Sequence, residues 1–426
     1  MRMWVQLAVL TVLGIAIRLV LVPAAGHVVD MNAFADWAVR AANAPWNQVY
    51  EATNANYPPA SMLFFEAAGR LYAAIHPAVD PDQHLLKELL KLPNVFFDAL
   101  GGLVVYALAR RFATHRPALG AAALYALNPA IIYDSAYWGQ NDSITTVSAL
   151  AALTFAVWDL RVPAWLAIGF AILTKPQVIV LAPLLAIEPF TAPNPAERTR
   201  RLRGSAIGIV LTAVLGYALT ASFYTQTAPL AVIERLINWT LIGASLYPYT
   251  SANAFNIYAF LPQFFRSDTG VVLFFSVKTW AWIAFGAIAV VLYANYARVR
   301  DRAALIESAF LLMLSFFLVL TEMHERYLMF ALTFVPALSV IDRRYLWSTI
   351  ALTLTEWLNL EYSLNYMWIE SDKPAGIDPY AFSPVLARLC ALTNIAVFVT
   401  GIARLFTRES EPADPNPGSM SLPNHA

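Results

Sequence analysis

Apolar runs long enough to cross a bilayer follow one another along most of this sequence, separated by short polar clusters. Inside a membrane every backbone polar group needs a partner within the protein, so only helices or closed barrels can span it. Runs of roughly 20 apolar residues, rather than short alternating ones, select helices. Composition agrees: 59% of residues are apolar and 13% charged, against roughly 25% charged in soluble domains. The expected fold class is an all-α polytopic membrane protein. The formal charges cancel, so bulk electrostatics offers nothing to a nucleic acid. The lone cysteine, Cys390, lies in an apolar run, where packing is its natural role and no intrachain disulfide is open to it.

Spans read near 3–22, 92–110, 118–136, 143–159, 163–174, 177–189, 204–222, 270–296, 305–321, 328–341, 345–366 and 384–404, about twelve crossings. The first reads as an uncleaved span rather than a signal peptide. The pair 163–174 and 177–189 is too short for straight crossings and meets at Lys175-Pro176, a pattern that places helix ends beside a cavity inside the membrane. One set of loops holds Arg110, Arg111 and Arg116, Arg161, Arg198 to Arg203, Arg298 to Arg302, and Arg343 and Arg344, and the C-terminal tail adds Arg404 and Arg408. That asymmetry makes these loops, and both termini, cytoplasmic. Residues 1–408 are then one membrane domain and 409–426 a disordered tail. Three segments on the other side are long: 23–91, 223–269 and 367–383. The first contains two stretches with helical apolar spacing, 30–44 and 59–76. Reading the second as a span would invert the arginine pattern, so helices lying at the interface are expected there.

Six polar clusters face the side opposite the arginines: Asp30 with Trp37, Asn56-Tyr57-Pro58-Pro59, Trp138-Gly139-Gln140-Asn141-Asp142, Thr174-Lys175-Pro176-Gln177, Asn253-Ala254-Phe255-Asn256 and His324-Glu325-Arg326-Tyr327. Ionisable groups near a bilayer are costly unless they line a wet cavity. Asp30 reads either as a helix N-cap or as a base that takes a proton from an attacking hydroxyl, and Asp36 is the competing acid. Asp98, inside a span, needs a partner, either Arg18 or Asn94. Asp142 reads as the cap of the span it begins or, with Trp138 and Gln140, as part of a sugar-binding surface. Lys175 either snorkels to the interface or meets an anion, of which phosphate is the natural one. Arg326 presents a fork suited to phosphate oxygens, with Glu325 holding it or His324 in place. No His-Glu-x-x-His zinc pattern and no glycine-rich nucleotide motif is present. An activated sugar would therefore arrive on a lipid.

Taken in order, Asp30-x6-Trp37, Tyr57-Pro58-Pro59, Trp138-Gly139-Gln140-Asn141-Asp142, Lys175-x-Gln177, Asn253-x-Phe255-Asn256 and His324-Glu325-Arg326-Tyr327 resemble the GT-C superfamily of polytopic glycosyltransferases. The resemblance runs from about Arg18 to about Pro336. It is similar to the dolichyl- or polyprenyl-phosphate-glucose glucosyltransferases and to bacterial proteins like the GPI mannosyltransferases. Where the eukaryotic members carry lysine, this chain has Arg326, and Gly139 stands where they carry an aromatic. The resemblance implies a GT-C-like bundle and a hexose, mannosyl or glucosyl, moved by inversion from a polyprenyl-phosphate donor to a glycan, glycolipid or protein acceptor. The implied setting is the extracytoplasmic face of a bacterial plasma membrane. It implies Asp30 as general base, and Lys175, His324 and Arg326 near the donor phosphate. Trp37, Tyr57, Trp138, Gln140, Asp142, Gln177, Asn253, Asn256 and Glu325 would lie around sugar or acceptor. No cofactor is implied, and a divalent metal is dispensable. The rival class is a transporter or flippase for a lipid-linked sugar, which would place polar groups at the bilayer midplane on several spans.

Overall fold

The computed structural model describes residues 2–75, 83–243, 246–261, 265–371 and 383–407. The chain opens with α1 (Arg2–Leu21), α2 (Val28–Asn43), α3 (Val49–Thr53), α4 (Pro59–Ile75) and α5 (His84–Ala109). Next come α6 (His115–Ala126), α7 (Pro129–Ile132), a π-helical turn (Tyr133–Trp138), α8 (Asp142–Val157) and α9 (Arg161–Thr174). A 3-10 turn (Pro176–Leu181) leads to α10 (Ala182–Ile187), α11 (Pro195–Ser222) and α12 (Pro229–Gly243). A short hairpin of β1 (Val271–Val272) and β2 (Phe275–Ser276) precedes α13 (Val277–Val299) and α14 (Arg302–Val319). The chain continues through α15 (Met329–Leu332), α16 (Val335–Leu338), α17 (Arg344–Ser371) and α18 (Ser383–Thr407).

Among the described residues, six helices are long and apolar enough to cross a membrane: α1, α5, α11, α13, α14 and α18. The expected span 345–366 lies within the single long helix α17, which is not among those six, and the remaining expected spans take shorter or broken forms. The stretch 118–136 is not one helix: α6 stops at Leu127, and Asn128 caps α7 through its side-chain oxygen, with Pro129 at the first helical position. Segment 177–189 alternates 3-10 and α turns, and 328–341 holds two single turns. The span expected from 270 begins only at Val277, because 271–276 closes into the hairpin and Ser276 caps α13. Of the third long segment, 367–371 belongs to α17. The rest of it and the 409–426 tail lie outside the described residues.

Almost every side chain of α14 is buried, and α13, α15 and α18 pack around it. Asp98 on α5 finds its partner in Arg18 rather than Asn94, with Nε at 2.7 Å from Oδ2. Tyr125 and Ser135 also donate to the same carboxylate, so one buried acid ties α1, α5, α6 and the π turn together. A separate apolar core joins α2 and α4, with Phe34, Phe65 and Tyr72 packed against Leu86, Leu90 and Phe223.

One end of the bundle is stapled by ions. Arg161 and Arg201 both reach Glu188, at 2.5 and 2.6 Å, and Arg302 reaches Asp159 at 2.7 Å. Three of the arginine-bearing loops therefore meet at one end. Helices α8, α9, α13 and α14 each run between that end and the other, where Asp142, Lys175, Lys278 and Thr321 lie.

Candidate functional site

At the end away from the arginine staple a cavity of about 440 Å³ is lined by residues from six segments of the chain, one of them Leu246 and Tyr247. Asp30, Phe34 and Trp37 come from α2, and Tyr57 from the turn into α4. Lys175 and Gln177 come from the α9 junction, Lys278 and Trp282 from α13, and His324, Arg326 and Tyr327 from the loop after α14. The lining mixes polar and ionic side chains with apolar ones, among them Val29, Ile179, Val180, Trp282, Phe316 and Leu320.

Asp30 does not cap its helix. His27 holds that position, its Nδ1 accepting from the Asp30 backbone N–H at 3.4 Å. The Asp30 carboxylate is instead held by one oxygen. Trp138 Nε1 donates to Oδ2 at 3.0 Å and Gln140 Nε2 at 2.5 Å. His27 Nδ1 lies 3.2 Å from that oxygen and Arg326 Nη1 4.0 Å. Among the described residues nothing hydrogen-bonds Oδ1. The His27 ring stacks on Trp138 at 4.6 Å, which fixes the indole that donates to Oδ2. Burial opposes ionisation of Asp30, but Arg326 and the His27 and Trp138 contacts outweigh it and hold the carboxyl well below the usual carboxylate range. Asp36 is elsewhere: half exposed, it pairs with Arg40 along the helix at 2.8 Å.

Lys175 ends α9 in an extended conformation. Its Nζ lies 2.5 Å from Asp142 Oδ1 and over the Tyr57 ring at 5.3 Å. Asp142 is thus no cap: Asn141 holds the cap position without a side-chain bond, and Asp142 puts its charge in the first turn of α8, where the helix dipole favours it. Arg326 is clamped by Glu325 at 2.6 Å, and its Nε has no hydrogen-bond partner among the described residues, with Asp142 Oδ2 3.7 Å away. Gln177 Oε1 is likewise buried without one. Burial, reinforced by the neighbouring Arg326, holds His324 well below the ordinary histidine value, so its ring is neutral at pH 7.

Of the residues singled out in the sequence, Asp30, Trp37, Tyr57, Lys175, Gln177, His324 and Arg326 line the cavity. Trp138, Gln140, Asp142 and Glu325 stand behind the wall and hold its ions. Asn253 and Asn256 are not on the wall. Asn256 caps a 3-10 turn at Tyr258 and donates to the Phe317 carbonyl at 3.1 Å. Asn253 is left-handed (φ 65), and its carbonyl accepts from Asn359. Both brace the strand-like segment that pairs with His324. The sequence reading missed His27, Tyr247, Lys278 and Glu322. A histidine three residues before an acid at a helix start was a usable signal for His27. Lys278 and Glu322 form an ion pair across 44 residues that no local pattern announces. Among the described residues no three His, Cys, Asp or Glu side chains are grouped as metal ligands would be.

The chain matches no protein-family model and no curated protein sequence. Among solved structures it is similar to the Archaeoglobus fulgidus oligosaccharyltransferase in its apo form, at TM-score 0.49 and 12% identity, over 97% of this chain and 57% of that one. It is also similar to the oligosaccharyltransferase AglB of the same organism, in complex with an inhibitory peptide and a dolichol-phosphate, at TM-score 0.48 and 13% identity, over 96% and 56%. The chain thus spans a little over half the length of the proteins it matches. At these values the likeness assigns neither family nor activity to it.

Proposed function

We propose that this protein is a GT-C-type glycosyltransferase that moves a hexose, mannosyl or glucosyl, from a polyprenyl-phosphate donor to a hydroxyl of a glycan, glycolipid or protein acceptor on the extracytoplasmic face. One observation carries the reading. The Asp30 carboxylate is fixed through Oδ2 and leaves Oδ1 unbonded, in a cavity that also presents Arg326 and Lys175 and includes apolar residues in its lining. A lipid phosphate needs both kinds of group: cations for the phosphate and apolar surface for the chain.

In this reading the acceptor O–H donates to Asp30 Oδ1 while its oxygen attacks C1 of the sugar from the face opposite the phosphate. The C1–O bond to phosphate breaks, its electron pair stays with the phosphate, and the proton passes to Asp30. The donor is a phosphodiester carrying one negative charge and the leaving polyprenyl phosphate a monoester approaching two. Cations already fixed in place therefore favour the transition state over the bound donor. Arg326 has a second part. While it faces Asp30 it keeps that carboxyl weakly basic. A phosphate that takes up the guanidinium donors lowers the positive field at Asp30 and raises its proton affinity, so base strength follows donor occupancy. Neutral His324 serves as a hydrogen-bonding group on the phosphate side.

The test uses purified full-length protein in lipid vesicles, with synthetic polyprenyl-phosphate mannose or glucose, radiolabelled in the sugar, and a membrane lipid extract as acceptor source. Transfer of label by wild type and not by Asp30→Asn, with donor binding intact in both, supports the reading. Equal transfer by both removes Asp30 as the base.

A further inference from the structure

The hairpin ahead of α13 has no use in the proposed transfer, and its chemistry is unusual for a loop. Val271 pairs with Ser276 and Val272 with Phe275, so Leu273 and Phe274 form a two-residue turn. All five residues from Val271 to Phe275 are apolar, and they are 72, 51, 79, 84 and 44% exposed. Leu273 takes the left-handed conformation, φ 58. Two-residue hairpin turns in water place glycine, asparagine or aspartate where φ is positive. Here the strained position carries a branched apolar side chain, with a phenylalanine beside it.

We infer that this hairpin inserts its tip into the lipid bilayer, among headgroups and upper acyl chains, at the end where α13 enters the membrane. The occupant of the apolar surface is lipid because the surface is continuous with a span. Ser276 caps α13 directly after the hairpin, and α13 is apolar enough to cross, with Trp280, Trp282 and Ile283 exposed along it. Trp280 binds the two together. Its Nε1 donates to the Val272 carbonyl at 2.9 Å, and its ring meets Phe275 edge to face at 5.3 Å. An indole bonded this way is at home at the membrane–water boundary. Polar residues Ser267, Thr269, Ser276 and Thr279 ring the hairpin base, where headgroups and water would lie. Reach agrees as well. Three residues of extended chain from Gly270 to the tip span about 10 Å, near the roughly 5–10 Å depth of interfacial apolar groups. Because Lys278 and Trp282, on the same helix, line the cavity, the anchored hairpin fixes the cavity mouth at the lipid surface.

The single cysteine makes the test direct. In a Cys390→Ala background, Phe274→Cys and Leu273→Cys each carry a nitroxide label in full-length protein reconstituted into phosphatidylethanolamine–phosphatidylglycerol vesicles. Collision with oxygen, which concentrates in lipid, is compared with collision with a water-soluble nickel chelate. Val290→Cys, exposed on α13, and Thr199→Cys, exposed at the arginine end, give the lipid and water references. The expected result is an oxygen-to-nickel ratio at both tip sites closer to Val290 than to Thr199. A nickel response like that of Thr199 puts the tip in water, and protection from both reagents puts it against protein. Either result overturns the inference. If the label at Leu273 disturbs the turn, Phe274 reports the same depth without altering the left-handed residue.

Discussion

The Lys175 ammonium lies 2.5 Å from Asp142 Oδ1, and the two side chains are 5% and 0% exposed. Removing one partner from such a pair leaves a charge in a place that cannot hydrate it. Asp142→Ala should therefore cost about 3–5 kcal/mol, read as a lowered unfolding midpoint in detergent. Replacing both partners with apolar residues of similar volume, Asp142→Leu with Lys175→Met, should restore most of that stability while leaving no phosphate-binding cation at this point. A double variant as unstable as Asp142→Ala would count against the pair as the source of the loss.

Asp30 and Asp36 sit on one helix and should behave as opposites. Asp36 is half exposed and, among the described residues, salt-bridged only to half-exposed Arg40, so Asp36→Asn should change stability by no more than about 1 kcal/mol and leave transfer intact. Asp30→Asn should lower the rate by roughly 10²- to 10⁴-fold, the range of a lost general base. Comparable losses from both variants would separate the chemistry from the Asp30 geometry.

Much of the architecture was legible because hydropathy and capping agree along the chain. The stretch expected at 59–76 is α4, beginning at Pro59, and the one at 30–44 is α2. The breaks were harder to see. Leu127-Asn128-Pro129 sits inside a continuous apolar run, and only the Asn128 cap reveals that the chain stops and restarts there. Val271 to Phe275 extends the apolar run of α13, so hydropathy alone cannot separate a hairpin from a helix. Seven of the site residues expected from the polar clusters meet at one cavity, but the clusters do not show what each one holds there. Nothing local says that Asn256 caps a buried turn while Gln140 grips Asp30 across 110 residues. Those facts belong to tertiary packing.

His324 gives the stability a pH dependence of definite sign. Its folded pKa is depressed, by burial first and then by Arg326 and Lys175, with Asp30 the opposing charge. Below the unfolded value of about 6.5 the unfolded chain takes up a proton that the folded chain refuses, so stability falls as pH drops. From pH about 7.5 to about 5.5 this amounts to about 1.4 kcal/mol. Asp30 also has a depressed folded pKa, but its stabilising effect is complete above the unfolded carboxylate value of about 3.9 and fades only below it. It therefore contributes no slope in that window. Unfolding midpoints of wild type and His324→Gln at the two pH values should differ in their shift. Equal shifts would remove His324 as the source.

Gly26 sets the distance between the α1–α2 turn and the π turn. It has φ +73, and a Cβ there would press into the Trp138 carbonyl oxygen, which already accepts from the His27 backbone N–H at 3.0 Å. Because the obstacle is backbone, no rotamer change relieves it. Gly26→Ala should cost on the order of 1–3 kcal/mol and should also loosen the His27–Trp138 stack that holds Asp30 Oδ2. The expected signature is a lower unfolding midpoint together with reduced transfer. Gly120→Ala, whose Cβ would meet nothing, is the control that should leave both unchanged.

Arg326 distinguishes a fork from a point charge. Its Nη1 is engaged by Glu325 and its buried Nε faces Asp142 at 3.7 Å without a hydrogen bond, so a phosphate would meet the remaining donors of the fork, on Nη2, without releasing Glu325. Arg326→Lys keeps the charge but not a second, fixed donor. If the phosphate is held by the fork, the variant should bind donor about 10-fold more weakly, which corresponds to about 1.4 kcal/mol. Its turnover at saturating donor should fall as well, because the same contact grows as negative charge collects on the leaving phosphate. Arg326→Gln, which loses the charge, should lose more on both counts. If lysine instead matches arginine in donor affinity and turnover, charge alone suffices at this position, and the planar geometry of Arg326 serves the Glu325 and Tyr327 contacts rather than the ligand.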